Sequence, residues 1–253
     1  MKKTLHQQIN VLKKIVITSL LIGTVLTTKA QITTEIIHSK SIDSVLIDVS
    51  KATLNSNVLY NRVHSFAKLK TFNDSVNVSN KNHFEQALSE LHRASKMQKF
   101  QTVDAIRNNY SFEKSTVEIG IINTNFHSIN YNGKNEQLGG LVYDETAKKM
   151  AAITSKQPFI ETQTLVIAPL KKYAIGSTIN FKFSNTLLFD ENTHKNIQSM
   201  DVDFDNGQTH TIITNGSIVQ NSVPVNYTIN GIKTLTFNIT FTDGSVGYTF
   251  GEV

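Results

Sequence analysis

Thr234-Leu-Thr-Phe-Asn-Ile-Thr-Phe-Thr242 alternates polar and apolar residues along its whole length. Leu235, Phe237, Ile239 and Phe241 fall on one side, Thr236, Asn238 and Thr240 on the other. A period of two with one apolar face is the pattern of a half-buried antiparallel strand. The same pattern sets Ile179, Phe181 and Phe183 against Asn180 and Lys182. Further strands are predicted at 164–170, 177–184, 199–204, 209–214, 223–227 and 247–253. Turns are supplied by Asn206-Gly207, Asn215-Gly216, Asn230-Gly231 and Asp243-Gly244. Seven short strands in about 90 residues, each set off by turn residues, predict an all-β, immunoglobulin-like sandwich over 161–253.

Upstream of this block the pattern is mixed, and an α+β N-terminal region is predicted over 31–160. Residues 44–49 have the composition of a short strand. Between 54 and 72, apolar residues at Leu54, Val58, Leu59, Val63, Phe66 and Leu69 recur mainly every three or four positions, as on one helical face. A second helix is predicted over 82–96. Asn82 precedes Glu85 by three residues, in the manner of a capping box, and Phe84, Ala87, Leu88, Leu91 and Ala94 form the apolar stripe. A short helix at 102–108 and a strand at 115–122 follow, with Asn132-Gly133 and Gly139-Gly140 as turn signals.

Residues 1–30 carry a different signature. Met1-Lys2-Lys3 and Lys13-Lys14 precede an apolar run from Ile15 to Leu26, broken only by small residues, and Thr28-Lys29-Ala30 leads into Gln31. A basic start, an apolar middle and a small-residue end are the parts of a secretory signal peptide, with the mature chain beginning near Gln31. The run is shorter than the roughly 20 apolar residues a membrane-spanning helix needs. The expected location is therefore secreted, cell-surface or periplasmic, with no stable membrane span after cleavage. The chain has no cysteine, which rules out disulfides, thiolate zinc sites and a lipid-modified N-terminal cysteine.

The leader also carries the whole net charge. Five of the 25 Lys and Arg lie within residues 1–30, so 20 remain against 20 Asp and Glu. A nucleic-acid binder shows a concentrated basic footprint. This balance argues against nucleic acid as a partner.

Two blocks in the β-rich part resemble a known family. Val202-Asp-Phe-Asp-Asn-Gly207 is similar to the W-D-F-G-D-G turn of PKD-type immunoglobulin-like domains. Val225-Asn-Tyr227, followed by Gly231-Ile-Lys-Thr-Leu-Thr-Phe-Asn-Ile-Thr-Phe-Thr-Asp-Gly244, is similar to that family's H-x-Y-x-x-x-G-x-Y-x-V-x-L-x-V-x-D stretch. Val202 stands where the family has Trp, Asp205 where it has Gly, and Asn206 where it has Asp. The resemblance implies an extracellular β-sandwich used as a spacer or binding module, without catalysis. Leu59-Tyr-Asn-Arg-Val63, His83-Phe-Glu-Gln-Ala-Leu-Ser-Glu-Leu91 and Ala168-Pro-Leu170 resemble the N-terminal part of secreted, multidomain surface proteins of Gram-negative bacteria, in which a further C-terminal part is expected. What these resemblances imply is a non-enzymatic protein for adhesion, spacing or ligand display. Its expected partners are cell-surface polysaccharide or protein, or further domains of a larger assembly. The alternative is a carbohydrate-binding accessory module of a larger secreted hydrolase.

Candidate chemistry is sparse. Asp201, Asp203 and Asp205 alternate along one strand face and form the one predicted metal site, for Ca²⁺, which takes several carboxylate and carbonyl oxygens. EF-hand spacing fails, because Asn206 occupies the glycine position and Ile212 the glutamate position. The competing reading is a solvated strand face opposite Val202 and Phe204. No other cofactor is expected. The histidines His38, His64, His83, His92, His127, His194 and His210 show no H-E-x-x-H spacing. Asp243-Gly-Ser-Val-Gly247 is one residue short of a nucleophile elbow and sits at a hairpin turn. Glu85, Glu90, Glu113 and Glu118 are available for paired-carboxylate hydrolysis, which depends on their separation in the fold. Tyr110, Phe126, Tyr131, Tyr143 and Tyr248 are candidates for a sugar-stacking platform or for the core.

Overall fold

A computed structural model of the protein describes residues 44–52, 54, 78–95, 100–132, 138–192 and 194–253. The elements are β1 (Val78–Ser79), α1 (Lys81–Ala94), α2 (Val103–Arg107), β2 (Thr116–Ile129), β3 (Leu141–Asp144), β4 (Lys149–Ala152), β5 (Phe159–Pro169) and β6 (Thr178–Lys182). A 3-10 turn at Asn185–Leu187 leads into β7 (Leu188–Glu191), β8 (Ile197–Asp203), β9 (Thr209–Thr214), β10 (Ser217–Ile218), β11 (Ser222–Asn226), β12 (Thr234–Phe241) and β13 (Val246–Glu252). The fold is β-rich, with few helices.

β12, Thr234–Phe241, is the strand around which one sheet is built. β12 pairs antiparallel with β13 on one side and β8 on the other, within the order β1-β13-β12-β8-β9-β10. Its alternation holds: Leu235, Phe237, Ile239 and Phe241 are buried, with Asn238 on the outside. A second sheet runs β11-β6-β2-β5, with β7 also pairing to β2. The two sheets enclose one core. Ile119, Ile121, Leu165, Ile167 and Phe181 from the second sheet meet Met200, Val202, Ile213, Phe237 and Ile239 from the first.

β2 and β5 form the longest ladder, antiparallel from Ile119↔Pro169 to Ile129↔Phe159. The sheet therefore crosses the expected boundary between 160 and 161. β2, from the predicted N-terminal region, lies beside β5 and β6. Both faces of this ladder are covered. Alternate residues Ile119, Ile121, Leu165 and Ile167 face the sheet-to-sheet core. Ile122, Phe126, Val166 and Ala168 face α1, packing with Phe84, Leu88 and Leu91. A strand buried on both faces loses its polar–apolar alternation, and 116–126 is buried throughout. Gly120 lets the helix approach closely: a Cβ there would stand 2.5 Å from the Phe84 ring. A smaller cluster of Leu46, Val49, Leu54, Leu141 and Phe159 lies under the β3–β4 hairpin.

Most predicted strands appear within two residues of their expected limits, although β5 begins at Phe159, five residues before the expected start at 164. Two expectations are corrected. Residues 44–49 form a helical turn, not a strand, with Val49 N–H donating to the Leu46 carbonyl at 3.1 Å. The cause is spacing: Leu46 and Val49, three apart, are buried, while Ile47 is 65 % exposed. The second helix begins earlier than Asn82. Its cap is Asn80, whose side chain accepts from the backbone N–H of Asn82 and His83 at 3.0 and 3.2 Å. The short helix at 102–108 is α2, capped by Thr102, which accepts from Ala105 N–H at 3.2 Å. The helix predicted over 54–72 lies outside the described residues apart from Leu54, as does the whole leader. Among the described residues no helix is long and apolar enough to cross a membrane.

Candidate functional site

β2 and β6 run parallel, with Glu118 in register with Lys182. Val117 and Phe181, each one residue earlier, point into the core, so Glu118 and Lys182 emerge on the opposite face. A cleft of about 410 Å³ forms there, within the range of small-molecule sites. Asn109 and Ser111 line it from the link between α2 and β2. Ser184 and Thr186 come from the 3-10 turn, and Asn221 and Ser222 from the start of β11. Phe183 and Leu187, which border the cleft, are themselves buried in the two cores. The walls are held by main-chain bonds: Phe183 N–H donates to the Asn221 carbonyl at 3.0 Å, and Leu187 N–H to the Ser184 carbonyl at 3.1 Å.

Glu118 is the distinctive group in this cleft, at 6 % exposure. Its Oε1 accepts from Ser111 N–H at 2.7 Å. Its Oε2 is buried and has no hydrogen-bond partner among the described residues. Such an oxygen costs free energy unless a donor reaches it. The hydroxyls of Ser184 and Thr186 are 2.9 Å apart, and Ser222 donates to Asn180 Oδ1 at 3.3 Å.

The other polar clusters hold the fold together. Glu85 on α1 receives Arg107 on α2 in a two-point pair, at 3.0 Å from Nε and 2.6 Å from Nη2. Burial pushes the Glu85 carboxyl up, but Arg107 and Lys81 outweigh it and hold it below its ordinary value. Asp190 on β7 ties both sheets. It accepts from Ile197 N–H of β8 at 2.8 Å and from Asn123 Nδ2 of β2 at 2.6 Å. Burial raises its pKa, against these hydrogen bonds. Lys195 pairs with Asp243 at 2.8 Å, and Ser245 donates to Asp243 from its backbone N–H and its hydroxyl. The Lys195 and Ser245 bonds hold the Asp243 carboxyl well below the usual carboxylate range.

The aspartates singled out from sequence lie on β8 and in the turn that follows it. Asp201 faces outward on β8, between Asn238 and Thr211 of the flanking strands. Asp203 Oδ1 accepts from Asn206 N–H at 3.2 Å, closing the turn after β8. Asp205 lies within that turn at φ +60°. Among the described residues no group of three or more His, Asp or Glu is arranged to hold a metal ion. His38 and His64 lie outside the described residues. His92 Nδ1 lies 2.6 Å from the Phe100 carbonyl, and His194 lies 3.5 Å from Glu161. Of the candidate aromatics, Phe126 is buried beneath α1, and Tyr110 packs against the same cluster. Tyr131 and Tyr248 are 42 % and 44 % exposed.

Of the four glutamates, the sequence offers no means of separating Glu118 from the rest. Its neighbours in the cleft come from three separate segments, 109–111, 182–187 and 221–222, and a single chain shows no spacing for such a group. Compared with known proteins, the chain matches no family model, no curated sequence and no solved structure.

Proposed function

We propose that this chain is an exported, non-enzymatic recognition or spacing protein of the cell surface or periplasm, built on a PKD-type immunoglobulin-like sandwich. The observation that carries the reading is the meeting of the two family-like blocks. The Tyr227 hydroxyl donates to the Phe204 carbonyl at 2.5 Å, and Phe181 stacks on Phe204 at 4.5 Å between ring centres. Burial raises the Tyr227 phenol well above its usual pKa, with Asp205 and Asp203 adding to it, so it remains a donor.

Two further features support this reading. Asp205, at the family's glycine position, has the left-handed φ of +60° that a glycine supplies without strain. The order β13-β12-β8-β9-β10 follows the G-F-C-C′-C″ order of variable-type immunoglobulin sheets, and the antiparallel β11–β6 pair follows E–B. The leader supports export, and the neutral balance of the remaining chain supports a partner other than nucleic acid.

The test has two arms. The full chain is produced in a Gram-negative host, and its location is read by fractionation and by protease access to intact cells. The processed protein is then screened against polysaccharide arrays and for hydrolysis of the same polymers. Export with binding and without turnover is the expected result. Retention in the cytoplasm, or hydrolysis abolished by a Glu-to-Gln variant, would overturn it. The carbohydrate-binding accessory role is the second reading, favoured by the hydroxyl and amide lining of the cleft at Glu118.

A further inference from the structure

We infer that the cleft at Glu118 is a binding site for a neutral, polyhydroxylated small unit, such as one or two sugar rings. The inference rests on the recognition reading above and gives it a location and a ligand chemistry. Three observations carry it.

The first is the unmet acceptor. Glu118 is buried and its Oε1 is taken by Ser111 N–H, while Oε2 has no partner among the described residues. A group brought to it must donate a hydrogen bond. The second is charge. Lys182 stands in register with Glu118 on the neighbouring strand and lines the same cleft. A cationic ligand would meet the Lys182 ammonium, and an anionic one would meet Glu118. A ligand without net charge that both donates and accepts satisfies the pair, and a hydroxyl does so. The third is the lining. Asn109 and Asn221 offer side-chain amides, each with a donor and an acceptor end, and Ser184, Thr186 and Ser222 add hydroxyls. The volume of about 410 Å³ suits a ligand of this size.

The experiment uses the purified full chain. Neutral mono- and disaccharides are titrated and followed by calorimetry and by ligand-observed NMR, with a primary amine and a carboxylic acid of similar size as charged controls. The expected result is binding of at least one neutral sugar in preference to both controls. Glu118→Gln is expected to weaken it about tenfold or more, as loss of a buried charged acceptor does. Glu118 also holds Ser111, so two surface variants guard against misfolding. Lys182→Ala removes the ammonium, and Ser184→Trp, at an exposed position, fills the cleft. Both are expected to weaken or abolish binding with an unchanged melting curve. Binding of a sugar that survives both surface variants overturns the cleft assignment and leaves the recognition reading standing. Preference for the amine or the acid overturns the neutral-ligand chemistry. Absence of binding to every small sugar overturns the inference, while polymer binding or surface exposure still decides the broader reading separately.

Discussion

Gly120 is a position where one missing methyl decides the packing of a helix. A Cβ there would lie 2.5 Å from Cε2 and Cζ of Phe84, a fully buried ring on α1. Gly120→Ala must therefore push the ring or the helix outward, at an expected cost of about 1–3 kcal/mol in urea unfolding. Pairing it with Phe84→Leu is expected to cost less than the two single changes summed, because the smaller side chain vacates the clash. Asp205 presents the opposite case. It holds φ +60° in the turn after β8, which strains a residue with a Cβ, although Asp tolerates it better than most. Asp205→Gly is expected to be neutral or stabilising by up to about 1 kcal/mol, and Asp205→Val to be destabilising. A stabilising Val would contradict the left-handed geometry assigned to this turn.

At the scale of elements, α2 is only five residues long, too short to be stable alone. It is held by Ile106 in the core beneath α1 and by the Arg107–Glu85 pair. Arg107 is half-exposed, so the pair is worth about 1 kcal/mol or less, short of a fully buried ion pair. Arg107→Met is expected to lose about that amount at neutral pH, read as a shift in the urea midpoint. The pH dependence follows from the direction of the Glu85 shift. Its folded pKa lies below the ordinary value of 4.5, so the unfolded chain binds the proton first as pH falls. The stabilisation is fully present above 4.5 and is lost as pH drops through the lower folded value. The difference between Arg107→Met and the parent is therefore expected to shrink in acid. A difference that grows below pH 4.5 would contradict the sign. Asp190 works in the reverse direction: its raised pKa favours the folded state in acid and costs stability as pH rises through it.

At the scale of the whole molecule, β2 joins what sequence pattern separates. It pairs with β5, β6 and β7 and contributes Val117, Ile119 and Ile121 to the core between the sheets. A fragment of residues 161–253 keeps the β8–β9 and β12–β13 hairpins but loses this central strand. It is expected to show no cooperative thermal transition and poor amide dispersion in NMR. A fragment of 78–253, which restores α1 and β2, is expected to unfold in a single transition. Independent cooperative folding of 161–253 would show that β2 is an accessory to the core.

The amino-acid sequence by itself determined the strands that have one wet face. In β12 and β6 the alternation of Leu235-Phe237-Ile239-Phe241 and Ile179-Phe181-Phe183 already says which side is buried, because a period of two leaves only two faces to choose between. It also determined the turns, since Asn-Gly and Asp-Gly meet backbone demands that are local. The full extent of β2 was less legible, because a strand covered on both faces carries no alternation. Only the tertiary structure decided which strands pair across the chain, that 44–49 turns instead of extending, and that Asn80 caps α1 in place of Asn82. It alone distinguished Glu118 from Glu85, Glu90 and Glu113. Those outcomes depend on contacts between residues far apart in the chain, and local propensity carries no record of them.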